Sequence, residues 1–102
     1  MIVEQIRYYV SVETRDAVLE LRRRIDTVRR DSGLPAGNIL LGDEDGDDSP
    51  QIVWQCGYAD EAELGHAETQ LIGNSVYEDM RTQMGDLGAR VVLELYTVDE
   101  ID

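Results

Sequence analysis

Lysine and phenylalanine are absent from the 102 residues, and cysteine, histidine and tryptophan occur once each. A lone cysteine, Cys56, excludes an internal disulfide framework. It lies among large apolar residues and reads as a buried packing thiol. No apolar run approaches the ~20 residues of a membrane span. The start, "MIVEQIRYYV", lacks the basic stretch and long apolar region of a signal peptide. These absences predict a reduced, cytoplasmic protein. Equally missing are a Ser-His-Asp grouping, a cysteine-rich metal site and a glycine-rich phosphate loop.

Without lysine, all nine basic residues are arginines, set against 22 acids, for a net charge of −13. Such a chain repels phosphate backbones and anionic membranes, so neither nucleic acid nor membrane is an expected partner. The composition suits a salty cytoplasm, and equally a GC-rich genome. The charge is uneven. Residues 14–30 hold six arginines and three acids, whereas 43–102 hold sixteen acids and two arginines. The basic segment could meet an acidic patch on another subunit. The simpler reading is solvated i,i+4 pairing of Glu20 with Arg24 and of Asp26 with Arg30.

With 42% hydrophobic residues the chain can build one core and one domain, residues 1–102. "IVEQIRYYVSV" at 2–12 is β-branched and aromatic and reads as a strand. Thr14 is the expected N-cap of a helix over 14–30, with Asp16 in its first turn. Val18, Leu21, Ile25 and Val28 form one apolar stripe on that helix, and Gly33 a left-handed stop. Strands follow at 38–42 and 51–58. A helix over 60–71 has Asp60 as its cap, and "IGNS" at 72–75 breaks it. A second short helix, "VYEDMRTQM", is capped by Asn74 or Ser75, with Val76, Met80 and Met84, or Tyr77 and Met80, turned inward. Residues 89–98 make the last strand. The order is β-α-β-β-α-β with no linker long enough to divide domains.

Two helical segments can cover one face of a four-stranded sheet. A water-facing second face would alternate cleanly with polar residues, and these strands do not. Val91, Leu93 and Leu95 oppose Val92, Tyr96 and Val98; Ile6, Tyr8 and Val10 oppose Val3 and Tyr9; Ile39 and Leu41 oppose Leu40. Roughly 400 Å² of exposed apolar surface would forfeit on the order of 10 kcal/mol at about 25 cal/mol per Å². The expected cover is a second copy of the same sheet about a two-fold axis, giving a barrel with its helices outside.

At this point the chain resembles the dimeric α/β-barrel superfamily, and within it the NIPSNAP-like family. "EQIRYYV" resembles that family's first-strand pattern, with Arg7 and Tyr9 in its last two places. "IVWQCGYADEAEL" resembles its third strand running into an acidic helix start, and "GNSVYEDM" its small-polar turn, with Tyr77 as the aromatic. The sequence departs at Gln5, where the family often has Glu, and at Cys56, where tryptophan is common. The resemblance implies an α+β, ferredoxin-like subunit with an antiparallel sheet, paired into a dimeric α/β barrel.

Near relatives, the antibiotic-biosynthesis-monooxygenase-like barrels, work without a cofactor. They hold flat aromatic substrates between sheet and helices, where orientation and oxyanion stabilisation matter more than a nucleophile. By that likeness Tyr8, Trp54, Tyr58 and Tyr77 would line a pocket for an aromatic or polyketide-like molecule. They also suit a plain core in a chain lacking phenylalanine, which leaves a non-catalytic ligand-binding or interaction dimer as the alternative. A second candidate site is the opposite sheet face, with Arg7, Tyr9 and Gln55. There Arg7 either binds an anion or pairs with Glu94.

Other barrel relatives bind haem through a helix histidine, with a tryptophan and a first-strand asparagine. Trp54 and His66 fit in kind, but the first strand has no asparagine and His66 points off its helix's apolar stripe, so it reads as a surface residue. "DEDGDD" at 43–48 fails the EF-hand pattern, because Asp48 and Trp54 occupy the glycine and glutamate places. No metal and no cofactor are expected.

Overall fold

The computed structural model describes residues 1–43 and 48–99, so the acidic turn expected at 43–48 lies mostly outside the described residues. The elements run β1 (Ile2–Tyr9), α1 (Val12–Asp31), β2 (Asn38–Leu41), β3 (Ile52–Tyr58), α2 (Glu61–Ile72), α3 (Ser75–Asp86) and β4 (Arg90–Thr97). The strands form one antiparallel sheet in the order β2-β3-β1-β4. This is the α+β, ferredoxin-like arrangement, with its second helix broken into α2 and α3.

Local chemistry accounts for most boundaries. The Asp60 carboxylate accepts from the Glu63 N–H at 2.9 Å and caps α2, while Glu63 accepts from the Ala59 N–H. Asn74 Oδ1 accepts from the Tyr77 N–H at 3.0 Å, which restarts the helix as α3. Gly33, at φ 74°, takes the left-handed conformation just after α1. The start of α1 differs from expectation. The helix begins at Val12 with Ser11 at the cap, not at Thr14, and Glu13 takes the first-turn place given to Asp16. Both hydroxyls were available. Because β1 ends at Tyr9, the chain turns earlier, and Thr14 bonds back to Ser11 instead of capping.

Cross-strand register sorts the two faces. Toward the helices run the rows Ile39–Trp54–Ile6–Leu93 and Leu41–Ile52–Tyr8–Val91, with Cys56, Glu4 and Leu95 beside them. Away from the helices run Leu40–Val53–Arg7–Val92 and a polar row, Asn38–Gln55–Gln5–Glu94. The core lies under α1 and α2, where Val18, Ile25, Leu64, Ala67 and Leu71 pack on Ile52, Trp54 and Tyr58. On α3, Tyr77 and Met80 are partly buried and Met84 is buried, whereas Val76 is exposed.

One expectation about the layers needs correction. The helices do not shelter the whole of their face. Val91, Leu93 and Leu95 of β4 point toward the helical layer yet remain 48%, 54% and 51% exposed. The helices pack on β3 and on one another, and β4 pairs along β1 at the sheet margin beyond their reach. On the other face Tyr96, and Val98 just past the strand, are exposed as well, so β4 is largely uncovered on both sides.

Candidate functional site

A cavity of about 430 Å³ opens between the helical layer and the exposed side of β4. Its floor is β1, β3 and β4, through Glu4, Ile6, Tyr8, Trp54, Tyr58, Val91 and Leu93. Its wall is α1, through Arg22, Ile25 and Arg29, and its rim is α2 and α3, through Leu71, Tyr77, Arg81 and Met84. The four aromatic residues expected to share a pocket therefore all border this one. Tyr8, Trp54 and Tyr58 are at most 3% exposed, and Tyr77 is half-buried.

Two buried cations organise the site. Arg22 and Arg29 are each 3% exposed although they lie on a heavily charged helix. The Arg22 guanidinium sits 4.1 Å from the Trp54 ring centre and that of Arg29 4.8 Å from it. Cations so placed gain from the electron-rich indole face, by about 2 kcal/mol where water is excluded. Trp54 is thus held against guanidinium groups rather than offered as an open wall. Gly37 lies so close to its edge that an added Cβ would overlap the indole.

The two arginines are balanced differently. Arg22 pairs with Asp26 at 2.8 Å and donates to the Tyr8 hydroxyl at 3.1 Å. Burial pulls the Arg22 pKa down, but Tyr8 and Asp26 outweigh it and leave it raised. The expected Asp26–Arg30 pairing gives way to this one, because Arg22 faces the core. Glu20 and Arg24 do pair, at 3.0 Å on the surface. Among the described residues no carboxylate lies within ion-pair distance of Arg29. Arg29 donates instead to the Tyr58 hydroxyl at 2.9 Å, to the Pro35 carbonyl at 3.2 Å and to Cys56 Sγ at 3.6 Å. The Nε of Arg29 is buried without a hydrogen-bond partner. Tyr58 in turn donates to Glu4 Oε1 at 3.2 Å. Burial first, and the neighbouring Glu4 second, push the Tyr58 phenol far above its ordinary range against the pull of Arg29. Burial also raises Tyr77, against Arg81 and Arg22. Both phenols therefore hold their protons, and that of Tyr58 is donated to Glu4.

Glu4, Arg22 and Arg29 are site residues that the sequence alone does not single out. A signal existed for two of them. Val18, Arg22, Ile25 and Arg29 fall at i, i+4, i+7 and i+11, so the inward stripe of α1 runs through both arginines. Glu4 shares a strand face with Ile2, Ile6 and Tyr8, but a single carboxylate on a strand carries no pattern.

Arg7, Tyr9 and Gln55 lie on the opposite face and do not border this cavity. Arg7 reaches Glu94 at 3.4 Å, and Arg90 stacks 3.9 Å from the Tyr9 ring centre. Gln55 lies beside Gln5 in the polar row. His66 is exposed. Among the described residues no three His, Cys, Asp or Glu side chains cluster as metal ligands, and no helix is long and apolar enough to cross a membrane.

No protein-family profile matches the chain, and no curated protein matches it in sequence. Solved structures do match its fold. An antibiotic biosynthesis monooxygenase is similar at a TM-score of 0.73 and 16% identity, over 98% of this chain and 100% of that one. A NIPSNAP family protein from Agrobacterium tumefaciens is similar at 0.74 and 16%, over 99% and 88%. SnoaB from Streptomyces nogalater, a cofactor-independent oxygenase, is similar at 0.66 and 13%, over 98% and 95%. The chain therefore has the fold shared by antibiotic-biosynthesis-monooxygenase-like and NIPSNAP-like proteins.

Proposed function

We propose that this is a small-molecule-binding protein whose cavity takes a flat aromatic or polyketide-like ligand, and that two copies pair through the open sheet face into a barrel. The observation that carries the reading is the 430 Å³ cavity bordered by Tyr8, Trp54, Tyr58 and Tyr77 and by two buried guanidinium groups. Its apolar surfaces suit a ring system, and its few polar groups suit ring oxygens. The likeness in fold to a cofactor-independent oxygenase supports an enzymatic form, in which the bound aromatic reacts with dioxygen without a metal or flavin. Pairing is supported by the exposed Leu40, Tyr96 and Val98, and a reducing cytoplasm by the single buried Cys56.

The non-catalytic form of the reading has its own support. Tyr8, Trp54 and Tyr58 are all engaged by Arg22 or Arg29 and almost wholly buried, as in a structural core. Oxygen uptake and thermal shift with hydroquinones and hydroxyquinones separate the possibilities, using Tyr77→Phe as the comparison. Uptake that falls in the variant marks an oxygenase. A raised melting temperature without uptake marks a binding protein. If no such compound moves the melting temperature, the cavity reading fails. A single subunit that persists at all concentrations in sedimentation removes the barrel.

A further inference from the structure

Among the buried polar groups that border the cavity, one differs from the others. Arg22, Arg29 and Tyr58 are all engaged with protein partners and at most 3% exposed. Glu4 keeps 9% exposure and borders the cavity. Its Oε1 accepts one hydrogen bond, from Tyr58, and among the described residues no other group bonds the carboxylate. A carboxylate offers about four acceptor positions, so most of its capacity is left for water or a ligand in the cavity. Behind it, the Tyr58 hydroxyl links it to the Arg29 guanidinium within a chain of 3.2 and 2.9 Å. That arrangement holds an acceptor in place at the cavity wall, with a positive charge one hydroxyl away.

Resting on the aromatic-ligand reading, we infer that Glu4 is the proton acceptor of the cavity and that its ligand presents an acidic ring hydroxyl, as in a hydroxyquinone. Tyr58 and Arg29 are positioning residues. In the step, the ligand O–H bond breaks and its electron pair stays on the ring oxygen. The proton forms a new O–H bond on Glu4. Net charge in the cavity is unchanged; it moves from the carboxylate to the ring, where it spreads over the conjugated system. A carboxylate takes a proton outright only from an acidic donor, which favours hydroxyquinones over simple phenols. The other charged or phenolic groups facing the cavity are Tyr8 of β1, Arg22 of α1, Glu68 of α2, and Tyr77 and Arg81 of α3. Arg22 is already matched by Asp26.

The lone tryptophan, Trp54, lies at the cavity, so its fluorescence reports occupancy independently of ionisation. The probe is alizarin, a hydroxyanthraquinone whose colour changes on ionisation. In the wild type, alizarin should quench Trp54 and carry the anion's colour about one unit below its free titration midpoint. Glu4→Gln keeps an acceptor for Tyr58 and should bind within about threefold, yet leave the dye neutral at that pH. Tyr58→Phe should bind the dye but change its ionised fraction by about twofold or more, which a purely structural tyrosine would not do. Quenching with a neutral dye in the wild type, or with an ionised dye in Glu4→Gln, overturns the inference and leaves the cavity reading standing. Absence of quenching by the dye overturns both.

Discussion

Strands β3 and β4 have nearly the same sequence character and opposite fates. Each presents large side chains toward the helices at every second position. In β3, Ile52, Trp54, Cys56 and Tyr58 are at most 3% exposed; in β4, Val91, Leu93 and Leu95 are about half exposed. The difference lies in position. β3 is interior to the sheet and lies beneath the helical layer, while β4 is a margin that the helices do not reach. Apolar alternation tells which residues share a face. It does not tell what lies opposite that face.

The largest break in this comparison is Trp54→Ala. It should cost about 3–5 kcal/mol, because it empties a core site and strands two guanidinium groups that rest on the indole. Denaturant unfolding measures it. The same assay on Leu93→Ala, in the facing row of β4, should show well under half that loss.

A second test divides β4 by face. If two copies pair through the open face, Val92→Asp should weaken the pairing by about 2–3 kcal/mol, roughly 30- to 150-fold in the dissociation constant. Leu93→Asp, one residue on and turned toward the helices, should leave it within about threefold. Sedimentation over a dilution series reads both. Equal effects from the two substitutions would place the contact at the strand edge instead of the face.

The smallest expected effect sharpens the polar side of β3. Tyr58→Phe removes two buried hydrogen bonds, to Glu4 and from Arg29, and should cost about 1–2 kcal/mol at neutral pH. Its pH dependence carries more information. The folded-state value of Tyr58 lies above the ordinary 10.0, so the folded protein holds this proton more tightly than the unfolded chain. That part of the stability is complete below pH 10 and is lost as pH rises toward the folded value. Melting temperatures should therefore fall steeply on the alkaline side in the wild type and less steeply in Tyr58→Phe.

Particular residues show how far the sequence could be read. Asp60 and Asn74 act as the caps their spacing implies, because a cap needs only a short side chain and the next turn's amides. Ser11 and Thr14 were equally able to start α1, and the end of β1 chose between them. Arg7 meets Glu94 as sheet geometry allows. Arg22 and Arg29 look like members of a solvated charged helix until Trp54, more than twenty residues away, is brought beneath them. Glu4 acquires a role only when Tyr58 is placed diagonally across the sheet. The four aromatic residues were identifiable as a set, but not their occupation by arginine.

The chain by itself determined the element order, the caps of α2 and α3, the in-out sorting of each strand and the net charge, since these depend on neighbours within a turn or a pleat. Only the tertiary structure decided which arginines are buried, which carboxylate meets the cavity and which strand is left uncovered. Those outcomes depend on contacts between distant segments, and desolvation and charge pairing act over a few ångströms of space, whatever the distance along the chain.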